Sequence, residues 1–173
     1  LGAGAWAAAQ FGVGLLLWPV LLALIGARIA TQGLWAERLL PVTFISVAPP
    51  AVVGSAALQL GGPPALAWMC WGVALFFLLW SGHLVRRMLA QPFSIAFWSL
   101  GFPLAAFAAL SLRLAQQHPA AQAPAMIALA LASLVIVVML IATWKGLREG
   151  SLLQPEPVAL MAVAGSEQPP RPQ

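Results

Sequence analysis

The stretch of sequence that decides the fold is Phe93–Arg113, FSIAFWSLGFPLAAFAALSLR. It is apolar over a length that can cross a bilayer, since about 20 helical residues span the ~30 Å hydrocarbon core. Pro103 lies near its centre, directly after Phe102. A mid-helix proline has no N–H to donate to the carbonyl four residues earlier, here that of Ser99. Membranes tolerate such a break where protein or a water-filled cavity satisfies the carbonyl, so this stretch predicts a transmembrane helix shaped around a pathway.

A second copy of this pattern occurs earlier in the chain. The stretches SVAPP (46–50) and SLGFP (99–103) both have serine first, a small residue third and proline last. The final prolines are 53 positions apart, and small residues follow both copies. Both copies lie within apolar segments, which favours an internal repeat over coincidence. We therefore predict helix breaks at Pro50 and Pro103, with the Ser46 and Ser99 carbonyls released.

The composition is that of an integral membrane protein. Hydrophobic residues make up 62% and charged residues 7%, and the mean hydropathy is +0.94. A soluble domain carries about 25% charged residues. Residues 1–150 are predicted to form one all-α, polytopic transmembrane bundle, and the polar, proline-rich residues 151–173 a disordered tail. The five predicted spans are Ala5–Ala27, Val42–Leu60, Ala65–Leu84, Ser94–Leu112 and Ala125–Trp144.

Basic residues in the connectors predict the orientation of the bundle. Six lie on one side: Arg28, Arg38, Arg86, Arg87, Lys145 and Arg148. The opposite connectors hold Arg113 alone. The positive-inside bias places the six, and the tail, in the cytoplasm. Arg86 and Arg87 would form a basic cytoplasmic mouth that attracts anions, although topology alone also explains them. Nucleic-acid binding is disfavoured because the basic residues are scattered between apolar runs.

Ionisable groups are missing from the predicted spans. The chain has no aspartate or tyrosine, and its four glutamates lie in connectors or in the tail. Proton- and ion-coupled carriers usually place such groups within the membrane. His83 and His118 are predicted at opposite membrane faces, so they form neither a metal site nor an acid–base pair. We therefore predict no enzyme activity and no cofactor.

Two stretches resemble motifs of a known family. FSIAFWSLGFP (93–103) resembles the motif F-S-x-x-[WY]-W-[SA]-[YF]-[TS]-F-P of the tellurite-resistance/dicarboxylate transporter family, which includes bacterial TehA proteins and plant guard-cell slow anion channels. PVTFISVAPPAV (41–52) resembles its H-P-V-x-F-x-x-V-A-x-P-A-V segment. Leu40 replaces the histidine, Leu100 an aromatic residue and Gly101 a hydroxyl residue. These departures bear on the substrate rather than on family membership.

The resemblance covers residues 5–148 and implies a larger architecture. The five helices would be the last five of ten, arranged as five hairpins around a pore lined by the first helix of each hairpin. Val42–Leu60 and Ser94–Leu112 would be pore helices, and five further helices would precede Leu1. Homotrimers in a bacterial inner membrane are expected. The family's occluding phenylalanine precedes a proline on the ninth helix, which places the gate on Phe102; the simpler alternative is a core or lipid-facing ring.

The favoured function is a passive anion channel or exporter, with small inorganic anions or dicarboxylates as candidate substrates. Efflux of tellurite or lipophilic cations is an alternative, because apolar walls do not exclude it. A non-conducting membrane scaffold is a third possibility, and it would lack a continuous path along the Ser-Pro helices. An intramembrane enzyme is disfavoured by the missing acidic groups.

Overall fold

The structure, a computed structural model, describes residues 3–150 and Leu152, so the predicted tail lies outside the described residues apart from Leu152. Every regular element in this part of the chain is helical, which confirms the all-α bundle. The α-helices are α1 Ala3–Gln32, α2 Ala48–Gln59, α3 Pro64–His83, α4 Val85–Leu89, α5 Gly101–Gln117 and α6 Gln122–Arg148. Three 3₁₀ helices, Glu37–Val47, Ile95–Leu100 and Pro119–Ala121, directly precede α2, α5 and α6.

Five stretches within the described residues are long and apolar enough to cross a membrane, which confirms the predicted number. They are Gly4–Gln32, Glu37–Gln59, Pro64–His83, Ile95–Gln117 and Pro119–Arg148. The connectors are shorter than the sequence predicts, since α1 continues through Pro19 to Gln32 and helical structure already begins at Glu37. Hydropathy marks only the hydrocarbon crossing, whereas a helix continues beyond it until its backbone hydrogen bonds are interrupted.

The first complete hairpin pairs α2 with α3 through a tight turn. Gly61 has a φ of +78°, a conformation that glycine adopts without steric cost. The Gly62 N–H donates to the Ala57 carbonyl at 2.8 Å, which closes the end of α2. Pro63 and Pro64 then begin α3, where the missing N–H groups leave no intrahelical bond unmade. Turn chemistry therefore fixes where the chain reverses.

The spans form two layers that differ in burial. We call Glu37–Gln59 the first central span and Ile95–Gln117 the second central span. About half of their apolar cores is buried, 56% and 50% of residues respectively, against 22% for the spans containing α3 and α6. The corresponding stretch of α1 has no buried residue. The two central spans pack against each other through α2 and α5, with α3 and α6 outside them.

Small residues allow α2, α3 and α5 to approach closely. A Cβ atom added at Gly54 of α2 would lie 2.9 Å from the Cβ of Cys70 on α3 and 3.0 Å from Cδ2 of Leu110 on α5. Ala51 and Ala67 are fully buried in the same core. Within a bilayer, association depends on van der Waals packing rather than on the hydrophobic effect. Gly54 therefore marks a position at which the three helices are in close contact.

Two indole–hydroxyl hydrogen bonds connect a central span to an outer helix. Trp71 Nε1 donates to Ser111 Oγ at 2.9 Å, joining α3 to α5. Trp98 Nε1 donates to Thr143 Oγ1 at 2.9 Å, joining the second 3₁₀ helix to α6. Because lipid offers no competing water, each bond satisfies a group that would otherwise be unpaired in an apolar medium. These contacts fix the orientation of the second central span.

Candidate functional site

The internal repeat is visible in the backbone. The first central span changes from 3₁₀ to α winding between Val47 and Ala48, and the second between Leu100 and Gly101. These junctions are 53 residues apart, the same offset as the Ser-Pro motifs. Val47 (φ −72°, ψ −34°) and Leu100 (φ −78°, ψ −29°) have closely similar conformations. Equivalent motifs thus produce equivalent backbone geometry.

The two repeat prolines lie at the change of winding rather than inside an uninterrupted α-helix. Pro50 and Pro103 each occupy the third position of the α-helix that follows a 3₁₀ helix. The sequence predicts a mid-helix break, and the structure differs in this respect. A proline in the first turn lacks only an N–H that has no α-helical partner inside that helix, so it is tolerated there. The preceding apolar residues remain helical because 3₁₀ bonds join residues three apart.

The repeat serines differ in their hydrogen bonding. The Ser46 carbonyl has no backbone donor in either winding, since residues 49 and 50 are both proline. The Ser46 hydroxyl donates to the Thr43 carbonyl at 2.6 Å. The Ser99 Oγ is buried and has no hydrogen-bond partner among the described residues. Each junction therefore presents a polar group that can receive a water molecule or a ligand.

Exposed residues recur every seven positions on one face of each central span. They are Ile45, Val52 and Gln59 on the first span, and Ile95, Phe102, Ala109 and Gln116 on the second. The Phe102 side chain is 66% exposed, immediately after the change of winding. Phe107, one and a half turns later, is 5% exposed and stacks on Trp71 at 5.7 Å between ring centroids. The structure thus separates an accessible ring from a core ring on the same helix.

The predicted basic mouth is partly neutralised. Arg86 and Arg87 lie exposed on α4, as the connector assignment predicts. Arg87 forms an ion pair with Glu37 at the start of the first 3₁₀ helix. The hydrogen bond and the charge of Glu37 raise the pKa of the Arg87 guanidinium, so it stays charged. Sequence reasoning missed this pair, although it places both connectors on the same membrane side. Arg86, by contrast, forms no ion pair with a carboxylate among the described residues.

The remaining titratable groups do not converge. The described residues contain no group of three His, Cys, Asp or Glu side chains that could hold a metal. The His118 ring lies 5.8 Å from Trp68, at the end of α5. Cys70 is a buried free thiol in the core. The features that the structure brings together are the repeated junctions and the uncharged, accessible faces beside them.

Comparison with known proteins gives one informative match. The sequence model of the family described as voltage-dependent anion channel matches residues 4–146, which include the first four spans and the fifth as far as Gly146. Neither a search of curated proteins nor a search of solved structures gave a match.

Proposed function

We propose that this chain, which belongs to the voltage-dependent anion channel family, forms part of a passive pathway for small anions or dicarboxylates. In this proposal Phe102 is the gate. The observation that carries the proposal is the position of Phe102. Its ring is accessible on an uncharged face, at the junction that the internal repeat reproduces. An apolar ring at such a point closes a pore by blocking it and by excluding water.

The absence of charged residues from the central spans, except near their ends, supports passive conduction. No Asp, Glu, Lys or Arg lies between Arg38 and Arg86, or between Arg87 and Arg113. Without intramembrane ionisable groups, neither span offers the proton or ion site that a coupled carrier uses. The basic residues at one end raise the local concentration of anions, and no acidic ring attracts cations. Arg86 contributes more to this field than Arg87, because Glu37 compensates Arg87.

The polar groups at the junctions give the pathway its hydration points. The Ser46 carbonyl and the Ser99 hydroxyl stand out in otherwise apolar helices. Water held at these groups would shorten the dry section next to Phe102. Rotation of the ring or movement of its helix would then open the path, since the nearest charged residue on that helix, Arg113, is 11 residues from Phe102.

The assembly that we propose follows the resemblance. Five further helices complete five hairpins around the pore, and three copies associate in a bacterial inner membrane with the C-terminus in the cytoplasm. In this arrangement the accessible faces from Val52 onward on the first central span and from Phe102 onward on the second line the pore. The side of α1 that carries Leu16, Val20 and Leu24 contacts its missing hairpin partner.

The proposed orientation predicts which positions react from outside the cell. Cysteines introduced at Gln122 and at Glu149, both exposed, lie at opposite ends of α6. We expect a membrane-impermeant thiol reagent to label Gln122→Cys and not Glu149→Cys in intact cells, with both labelled after permeabilisation. The natural Cys70 is buried, so we expect the reagent not to label it. Labelling of Glu149→Cys alone in intact cells would reverse the orientation.

The proposed pore face predicts a distinct accessibility pattern. Cysteines at Val52 and Ala109 lie on the exposed faces of the central spans, whereas Leu79 and Leu134 are exposed on α3 and α6. We expect a charged, water-soluble thiol reagent to modify Val52→Cys and Ala109→Cys in reconstituted protein and to block most of the anion flux. The matched variants Leu79→Cys and Leu134→Cys face lipid and should remain unmodified. Equal modification of all four variants would contradict the assignment of the pore to these faces.

A further inference from the structure

A long apolar groove separates α1 from the rest of the bundle. Its volume is about 820 Å³. One wall is α1 from Gly14 to Ala30, and the others are the first 3₁₀ helix, around Ile45, and the aromatic residues Phe77 and Trp80 of α3. Nearly all of the lining is apolar. Ser46 and Pro49 of the first Ser-Pro motif also line the groove, so it reaches the first junction, whereas Phe102 does not line it.

The dimensions of the groove fit a lipid chain. Gly14 and Ala30 are 16 positions apart, which corresponds to about 24 Å of helix at 1.5 Å per residue. One leaflet of a bilayer contributes about 15 Å of the ~30 Å hydrocarbon core. An acyl chain that enters at the Ala30 end therefore fits within the groove for its full length. Gly14 and Gly26 widen it, since a Cβ atom added at either has nothing within 4 Å.

A positive charge lies at one end of the groove. Trp35 lines that end, and the Arg28 guanidinium lies 3.7 Å from the centroid of the Trp35 ring. Arg28 also donates to the Gly33 carbonyl at 3.4 Å. It forms no ion pair with a carboxylate among residues 3–150, and Glu37, the nearest acidic residue in sequence, is engaged by Arg87. A cation held by an aromatic face keeps its remaining N–H groups available for an anion.

We propose that this groove binds an anionic phospholipid, with one acyl chain between α1 and α3 and the headgroup phosphate on Arg28. The walls match the chain and the charge at the end matches the phosphate. Arg28 belongs to the basic side of the bundle, so the lipid comes from the leaflet on that side. Basic pockets between transmembrane helices on that side are suited to anionic headgroups. The bound lipid covers the side of α1 that faces the first 3₁₀ helix and α3.

Lipid binding by matched variants tests the proposal without reference to conduction. The full-length protein is purified in detergent and titrated with phosphatidylglycerol or phosphatidylcholine, and bound lipid is counted by native mass spectrometry. We expect preference for phosphatidylglycerol in the parent, and about tenfold weaker binding by Arg28→Gln, as for loss of one charged hydrogen bond. Gly26→Leu fills the groove and should weaken both lipids.

Gly12→Leu is the control for the groove-filling variant. Gly12 is on the same helix, has nothing within 4 Å of an added Cβ and does not line the groove. It should bind lipid as the parent does. Unchanged phosphatidylglycerol binding in both Arg28→Gln and Gly26→Leu would overturn the proposal. A changed oligomeric state in Gly26→Leu with unchanged lipid binding would also overturn it, and would assign the groove to a protein segment.

Discussion

Replacing Phe102 with alanine is expected to raise anion conductance several-fold or more in the full-length protein. The ring is 66% exposed beside the junction of the second central span, and it is the largest side chain among the exposed residues of that face. Truncation removes the obstruction and leaves the uncharged face and the basic end in place. Anions should therefore remain favoured over cations in the open variant. Anion efflux from proteoliposomes measures the change.

The control for this variant must remove an equally exposed ring elsewhere. Trp144 on α6 is also 66% exposed, so Trp144→Ala tests truncation on an outer helix. It should leave the conductance near that of the parent. Phe107→Ala on the same helix as Phe102 is unsuitable, because Phe107 is buried against Trp71 and its loss should cost about 3–5 kcal/mol of stability. Equal conductance of the folded Phe102→Ala and Trp144→Ala proteins would contradict the assignment of the gate to Phe102.

Replacing Gly54 with leucine is expected to cause a large loss of stability. The first added carbon already lies 2.9 Å from the Cys70 Cβ and 3.0 Å from Leu110, and leucine adds three more. Because Cys70 and Leu110 belong to different helices, α2, α3 and α5 cannot all keep their positions. We expect at least about 2 kcal/mol of destabilisation, or a Tm lower by about 4–8 °C. Thermal unfolding in detergent, followed by tryptophan fluorescence, provides the measurement.

Gly72→Leu is the matched control for the packing prediction. Gly72 lies on α3 two residues after Cys70, and an added Cβ has nothing within 4 Å. Its Tm should stay within a degree or two of the parent value, since leucine is a better helix former than glycine. Identical melting of the Gly54 and Gly72 variants would show that the close approach of the three helices is not needed for stability.

The sequence predicts the spans, the repeat and the family well, for a physical reason. In a bilayer every backbone group must be satisfied within the chain, so long apolar stretches become helices and little else. The family match confirms the resemblance carried by residues 93–103 and 41–52. The Ser-Pro motifs also locate the two points at which the backbone changes winding.

Features that depend on packing could not be predicted in the same way. The 3₁₀ winding before Pro50 and Pro103 depends both on the N–H groups that the prolines lack and on the packing contacts of the preceding residues. Those packing contacts cannot be read from one sequence. The groove beside α1 exists only once α1 is placed against α3. The Arg87–Glu37 pair is different, because the predicted topology already placed both residues on one side and could have suggested it.

The central claim is an anion-selective path beside the two junctions, and one measurement tests it most directly. The reversal potential of Phe102→Ala protein is recorded in a planar bilayer with a potassium chloride gradient across it. The proposed path predicts a potential close to the chloride equilibrium value, because the proposed pore face carries no acidic residue. A reversal potential close to the potassium equilibrium value would contradict the claim, as would the absence of any current from folded protein.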